Sequence, residues 1–189
     1  MNKRAYALLG IVGPLIAYIS IGLSIALSPW FSWEKSALSD LGHAVKSQAA
    51  LIFNLGLLLA GFLIMVYVIT VFKRHAKYTS VFLVISALSL QLVATFDEVY
   101  GLPHVAVSVL LFLSLGVASL TYVVERKSYL AAAAFIIGLI SWALHSMKIY
   151  NLGVAVPETI SSVMVSLWII YSAIRIAHNP SGNRKLRVS

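Results

Sequence analysis

Apolar residues fall in six long runs separated by short polar stretches. The first run, residues 5–27, would be roughly 34 Å long as a helix, enough to cross a hydrocarbon core of ~30 Å. The others are residues 49–72, 80–96, 105–124, 129–147 and 159–176. Together they predict an all-α, polytopic membrane protein with a single six-helix transmembrane domain over residues 1–177. The polar tail, 178–189, reads as disordered. Asn2, Lys3 and Arg4 precede the first run, and Ala26-Leu27-Ser28 resembles a signal-peptidase site. The run is longer than a signal core and Pro29 follows directly, so a retained span is expected. Pro14 inside it predicts a kink, because proline lacks the N–H and its ring clashes with the preceding turn.

The longest polar stretch between two runs lies between Pro29 and Gln48. It holds Glu34, Lys35, Asp40, His43 and Lys46, four serines (Ser32, Ser36, Ser39, Ser47) and the pair Trp30 and Trp33. Phe31, Ala37, Leu38 and Leu41 give it a face to bury, so an ordered loop packed on the helix bundle is expected. Within the spans, Asn54 and Gln91 predict hydrogen bonds between helices, and Gly56 with Ala60 predicts a close helix contact. No Asp, Glu, Lys or Arg stands clearly at mid-depth, which argues against a proton pump or coupled transporter.

Composition sharpens the picture. The 189 residues are 60% hydrophobic and 11% charged, against roughly 25% charged in a soluble domain. Lipid must therefore cover much of the surface. With no cysteine, disulfides, thiolate metal sites and thiol nucleophiles are excluded. The formal net charge of +8 is explained by where the basic residues fall. Lys3, Arg4, Lys73, Arg74, Lys77, Arg126, Lys127, Arg175, Arg184, Lys185 and Arg187 share one side, and only Lys35, Lys46 and Lys148 the other. This asymmetry places both termini in the cytoplasm. It also removes nucleic acid as a partner, since the charges are topogenic and suited to anionic headgroups of the bilayer.

The acids are divided the other way. Glu34, Asp40, Asp97, Glu98 and Glu158 fall outside and only Glu125 inside, a bias that topology does not require. Pro103-His104 and Pro157-Glu158 each open an outward-starting span, with proline at the first helical position. The helix dipole favours the carboxylate of Glu158 and disfavours a protonated His104, leaving a neutral imidazole. Asp40, His104 and Glu158, with Ser39, are therefore expected to converge on one outward pocket. Two readings of the loop compete. In the plainer one, Ser39 or Asp40 caps a short interfacial helix, and Trp30 and Trp33 anchor it in the aromatic belt. In the sharper one the loop folds inward, and His43, His104 and His145 with a carboxylate hold a zinc ion that activates water. No His-x-x-x-His or His-Glu-x-x-His pair is present, so that site needs three segments to converge.

The run from Pro29 to Gly42, with Ala37-Leu38-Ser39-Asp40-Leu41-Gly42 at its centre, resembles the first-loop signature of a family of membrane proteins. That family, found in archaea and bacteria, is the six-helix group catalogued as domain of unknown function 998. The proline and histidine opening the fourth span, and the glutamate opening the sixth, are also similar to its pattern. The resemblance implies the six-helix fold and a functional outer surface, and brings no established reaction. A basic residue often follows the glutamate in the family. Here Thr159 stands there, so no ion pair at Glu158 is inherited. Two functions fit: a binding or assembly subunit whose acidic and histidine pocket recognises a lipid headgroup or a membrane partner, and a membrane hydrolase acting on a lipid-linked substrate. The absence of a recognised catalytic spacing favours the first.

Overall fold

The computed structural model describes residues 3–178, so the predicted tail beyond His178 lies outside the described residues. The described residues form six α-helices: α1 (Lys3–Ala26), α2 (Ala50–Thr70), α3 (Lys77–Thr95), α4 (Leu102–Arg126), α5 (Tyr129–Ser146) and α6 (Ala155–His178). Each is long and apolar enough to cross a membrane. Their bounds depart from the predicted spans mainly by extending a few residues into polar flanks, because backbone bonding outlasts the apolar run. α6 begins at Ala155, two residues before Pro157, so Pro157 is not its first residue as expected. Glu158 still lies in the first turn.

The helices form a closed ring in chain order, with α6 returning to pack on α1. α1 and α2 meet through small residues. A Cβ on Gly56 would lie 2.0 Å from Ser20 Oγ, and one on Gly13 would lie 2.8 Å from Ile64. Backbones this close gain van der Waals contact that lipid cannot supply. α1 continues unbroken through the buried Pro14. Asn54 and Gln91 do not bridge helices as expected. Asn54 donates from Nδ2 to the carbonyl of Gly42 in the first loop, at 2.8 Å. Gln91 donates to Ala87 O of its own helix at 3.2 Å, while its stem packs against Gly61. Hydroxyls do the bridging instead: Tyr18–Ser166 at 3.1 Å, Tyr67–Ser172 at 2.9 Å and Ser86–Ser114 at 2.8 Å.

The larger of the two buried apolar clusters lies towards the end of the bundle that carries the chain termini. Trp168 is wholly buried, stacks on Tyr122 with ring centroids 4.6 Å apart, and donates from Nε1 to Ser119 Oγ at 3.2 Å. Phe72, Tyr67 and Val68 complete this core. Just beyond the span, His75 Nε2 lies 3.1 Å from the Tyr122 hydroxyl. Burial, with Arg126 and Arg175 nearby, pushes the imidazole down to about 4, against an ordinary 6.5, while Glu125 pulls weakly the other way. The unfolded chain thus takes up this proton first, and the folded state loses stability as pH falls from about 6.5 towards 4. Apparent melting temperatures in detergent between pH 7 and 4.5 are expected to fall more for the wild type than for His75→Gln. Equal falls would show that His75 does not carry the effect.

Candidate functional site

At the opposite end of the bundle, the connection between α1 and α2 folds back over the helices. Residues Leu38–Gly42 form a short 3₁₀ helix. Leu38 and Leu41 bury against Phe53, Leu57, Ala94 and Ala155, from α2, α3 and α6. The apolar positions that predicted an ordered loop are therefore the ones that hold it. Trp30 and Trp33 remain half exposed on either side of Phe31, with centroids 6.5 and 5.3 Å from it, as interfacial anchors would be. The α5–α6 connection seals the other flank: Gly153 N–H donates to Trp33 O at 2.8 Å and Ala155 N–H to Ser36 O at 3.0 Å. A Cβ on Gly153 would lie 2.4 Å from Ser36 O, so the two backbones approach closely only because that side chain is absent.

This fold-back delivers the acids. Glu158, 9% exposed, accepts the Leu38 N–H at 2.7 Å through Oε2. Ser39 donates its hydroxyl to Glu98 Oε1 at 2.8 Å. Asp40 accepts the Ala37 N–H at 2.8 Å and is also hydrogen-bonded to the Glu98 carboxyl. Two carboxyls in that contact need a proton between them. Burial first, and then Asp40, push Glu98 above the usual carboxylate range, while Ser39 and His104 pull it down. The charges of Glu98 and Asp40 also reach Glu158. His104 is buried, with Nδ1 2.7 Å from the carbonyl of Phe96. A carbonyl only accepts, so Nδ1 carries a proton, and Nε2 lies on the other side of the ring. Ser108 Oγ lies 3.4 Å from it.

Asp40, His104, Glu158 and Ser39 are thus gathered at one place, and the Asp97-Glu98 turn joins them. Asp97 accepts Val99 N–H at 2.9 Å and Ala44 N–H at 3.1 Å, tying the α3–α4 turn to the first loop. Sequence reasoning placed Asp97 and Glu98 on this side but not in the pocket. Gly101, at φ 62°, allows the turn that brings Glu98 inward, and no spacing rule marks that. The zinc set is not assembled. His43 accepts from Val45 N–H at 3.3 Å through its own Nδ1. His145 sits beside Trp142 and Tyr150 at the end of α5. Among the described residues, no three His, Cys, Asp or Glu side chains are grouped to hold a metal ion.

α4 and α6, which carry His104 and Glu158, are not closely packed along their length. These helices meet at the termini end, where Trp168 reaches Ser119 and Tyr122, and elsewhere make little contact. Between them, walled also by α5, lies a cavity of about 660 Å³, within the usual 300–1,000 Å³ of small-molecule sites. Ser39, Glu98, His104 and Glu158 stand at its mouth, and Phe112, Gly116, Ala134, Phe135, Gly138 and Val165 line its depth. Its α4 wall, His104 to Leu120, is ~24 Å long. Val105, Val109, Leu113 and Val117 recur along this wall every fourth residue, so they form one stripe. They also remain exposed, Leu113 by 63% and Val105 by 54%. Residues that line the cavity and yet face outward show that it opens sideways, alongside α4.

A ring of six spans with a folded polar lid and a carboxyl-mouthed, laterally open cavity defines a polytopic membrane protein with a built internal site. Residues 11–175 match the family described as "Protein of unknown function (DUF998)", and the chain belongs to it. Comparison with curated proteins and with solved structures finds no match.

Proposed function

We propose that this protein is a binding subunit that takes a single-chain amphiphile from the bilayer. The hydrocarbon chain lies along α4, and the headgroup meets Glu98, His104 and Glu158, with Asp40 behind Glu98. The observation that carries this reading is the division of the cavity, apolar along its length with its carboxyls confined to the mouth. The ~24 Å wall exceeds half of a ~30 Å hydrocarbon core, long enough to sheath a chain from one leaflet. The asymmetry of basic residues supports an outward-facing mouth. A second reading, hydrolysis of a lipid ester, rests on the hydrogen-bonded pair Asp40 and Glu98, since paired carboxyls sharing one proton can act as acid and base together.

An alkyl-diazirine ester probe with a sixteen-carbon chain tests both in reconstituted bilayers. Photolabelling is expected to concentrate on α4 and α5 peptides, over the equally lipid-exposed Leu15 and Leu59 of α1 and α2. Uniform labelling of all six helices would contradict the binding reading. Recovery of the probe intact separates binding from hydrolysis, and its cleavage favours the enzyme.

A further inference from the structure

We infer that the headgroup this cavity selects is a primary ammonium, an inference that rests on the cavity being an amphiphile site. The donors nearest the carboxyls are committed: Leu38 N–H to Glu158, Ala37 N–H to Asp40, the Ser39 hydroxyl to Glu98, His104 Nδ1–H to Phe96 O, and the Ser161 hydroxyl to Pro157 O, while the unpartnered Trp142 Nε1–H lies deeper, beside Phe112. What remains is acceptor capacity. Glu158 is more than nine-tenths buried, lines the cavity and spends one oxygen on Leu38. Its other oxygen, Oε1, has no hydrogen-bond partner among the described residues. Glu98, which accepts from Ser39 through Oε1, lines the cavity beside it.

The charge count points the same way. Among the described residues, the one basic side chain whose charge acts on Glu98 is His104, and no basic side chain acts on Glu158. A buried carboxylate without a cation is unfavourable unless paired. A phosphate would bring further negative charge to the two carboxyls that line the cavity, and fully ionised it offers no donor. A primary ammonium brings one positive charge and three N–H donors. A quaternary ammonium brings the charge alone. The ammonium end seats at the mouth beside Glu158, and its chain runs down the apolar wall.

The test is native mass spectrometry of the protein released from phosphatidylcholine nanodiscs, loaded in turn with four amphiphiles of one chain length. These are hexadecylamine, hexadecyltrimethylammonium, hexadecyl phosphate and hexadecanol. The amine and its trimethyl analogue carry the same charge, so general attraction to the acidic face cannot separate them. Charge-assisted hydrogen bonds predict about tenfold tighter binding of the amine than of the trimethyl analogue, and a wider gap to the phosphate. Glu158→Gln is expected to reduce amine binding about tenfold while leaving hexadecanol unchanged. Glu98→Gln, which keeps the Leu38–Glu158 contact, gives the same direction should the first variant fold poorly. Equal binding of all four amphiphiles, tighter binding of the phosphate, or an amine preference untouched by both variants would overturn the inference while the cavity reading stood. Binding of none of the four would overturn both.

Discussion

Trp168→Ala is expected to destabilise the bundle by ~3–5 kcal/mol, the usual range for removing a large buried aromatic side chain. Trp168 is wholly enclosed, stacked on Tyr122 and bonded to Ser119, so truncation removes packing volume, an aromatic pair and a hydrogen bond together. The neighbours that might collapse into the gap, Tyr67, Phe72 and Tyr122, are held by hydroxyl contacts to Ser172 and His75 or are enclosed by core. The loss should therefore lie towards the upper part of that range. Trp168 also ties α6 to α4 just below the cavity, so its removal is expected to enlarge the cavity floor. Unfolding titrations with sodium dodecyl sulfate in mixed micelles measure the effect. A loss below ~1 kcal/mol, typical of a surface change, would mean that the termini-end core is not the anchor of the bundle.

The split between what the sequence revealed and what it hid follows physical lines. Spans are legible because a bilayer imposes length and apolarity on each segment separately, without reference to its neighbours. The ordered first loop was legible too, since Leu38 and Leu41 stand out as apolar residues in a polar stretch. Asp40, His104 and Glu158 could be grouped because helices that begin at one membrane surface place their first turns at similar depth. Glu98 could not. Its inward turn depends on the backbone at Gly101 and on the Ser39 hydroxyl arriving from 59 residues away in sequence. The cavity was equally hidden, because it exists where α4 and α6 fail to pack, and no spacing along the chain marks such a gap. The histidines misled for a related reason. Residue type suggested ligands, but His43 and His145 sit on separate elements with nothing to draw them towards His104.

The second large effect concerns the cavity itself. Gly116 lines it on α4, and a Cβ built there meets nothing closer than Phe135 at 3.8 Å. Gly116→Leu therefore adds a branched side chain at mid-wall without a backbone clash. Replacing glycine within a helix is itself stabilising by roughly 0.5–1 kcal/mol, so the variant should fold at least as well as the wild type. An amphiphile lying along α4 would lose its path. Gly56→Leu is the contrasting case, because its Cβ would collide with Ser20 and disrupt the α1–α2 contact without touching the cavity.

The central claim, that the space between α4, α5 and α6 holds a membrane amphiphile, is tested most directly by comparing hexadecylamine bound per protein in wild type and Gly116→Leu. The measurement is native mass spectrometry from nanodiscs, with melting temperature recorded on the same samples. The account predicts at least about a tenfold loss of affinity, on the order of 1.4 kcal/mol, in a variant whose melting temperature is unchanged or raised. Wild-type affinity in a well-folded Gly116→Leu protein would contradict it.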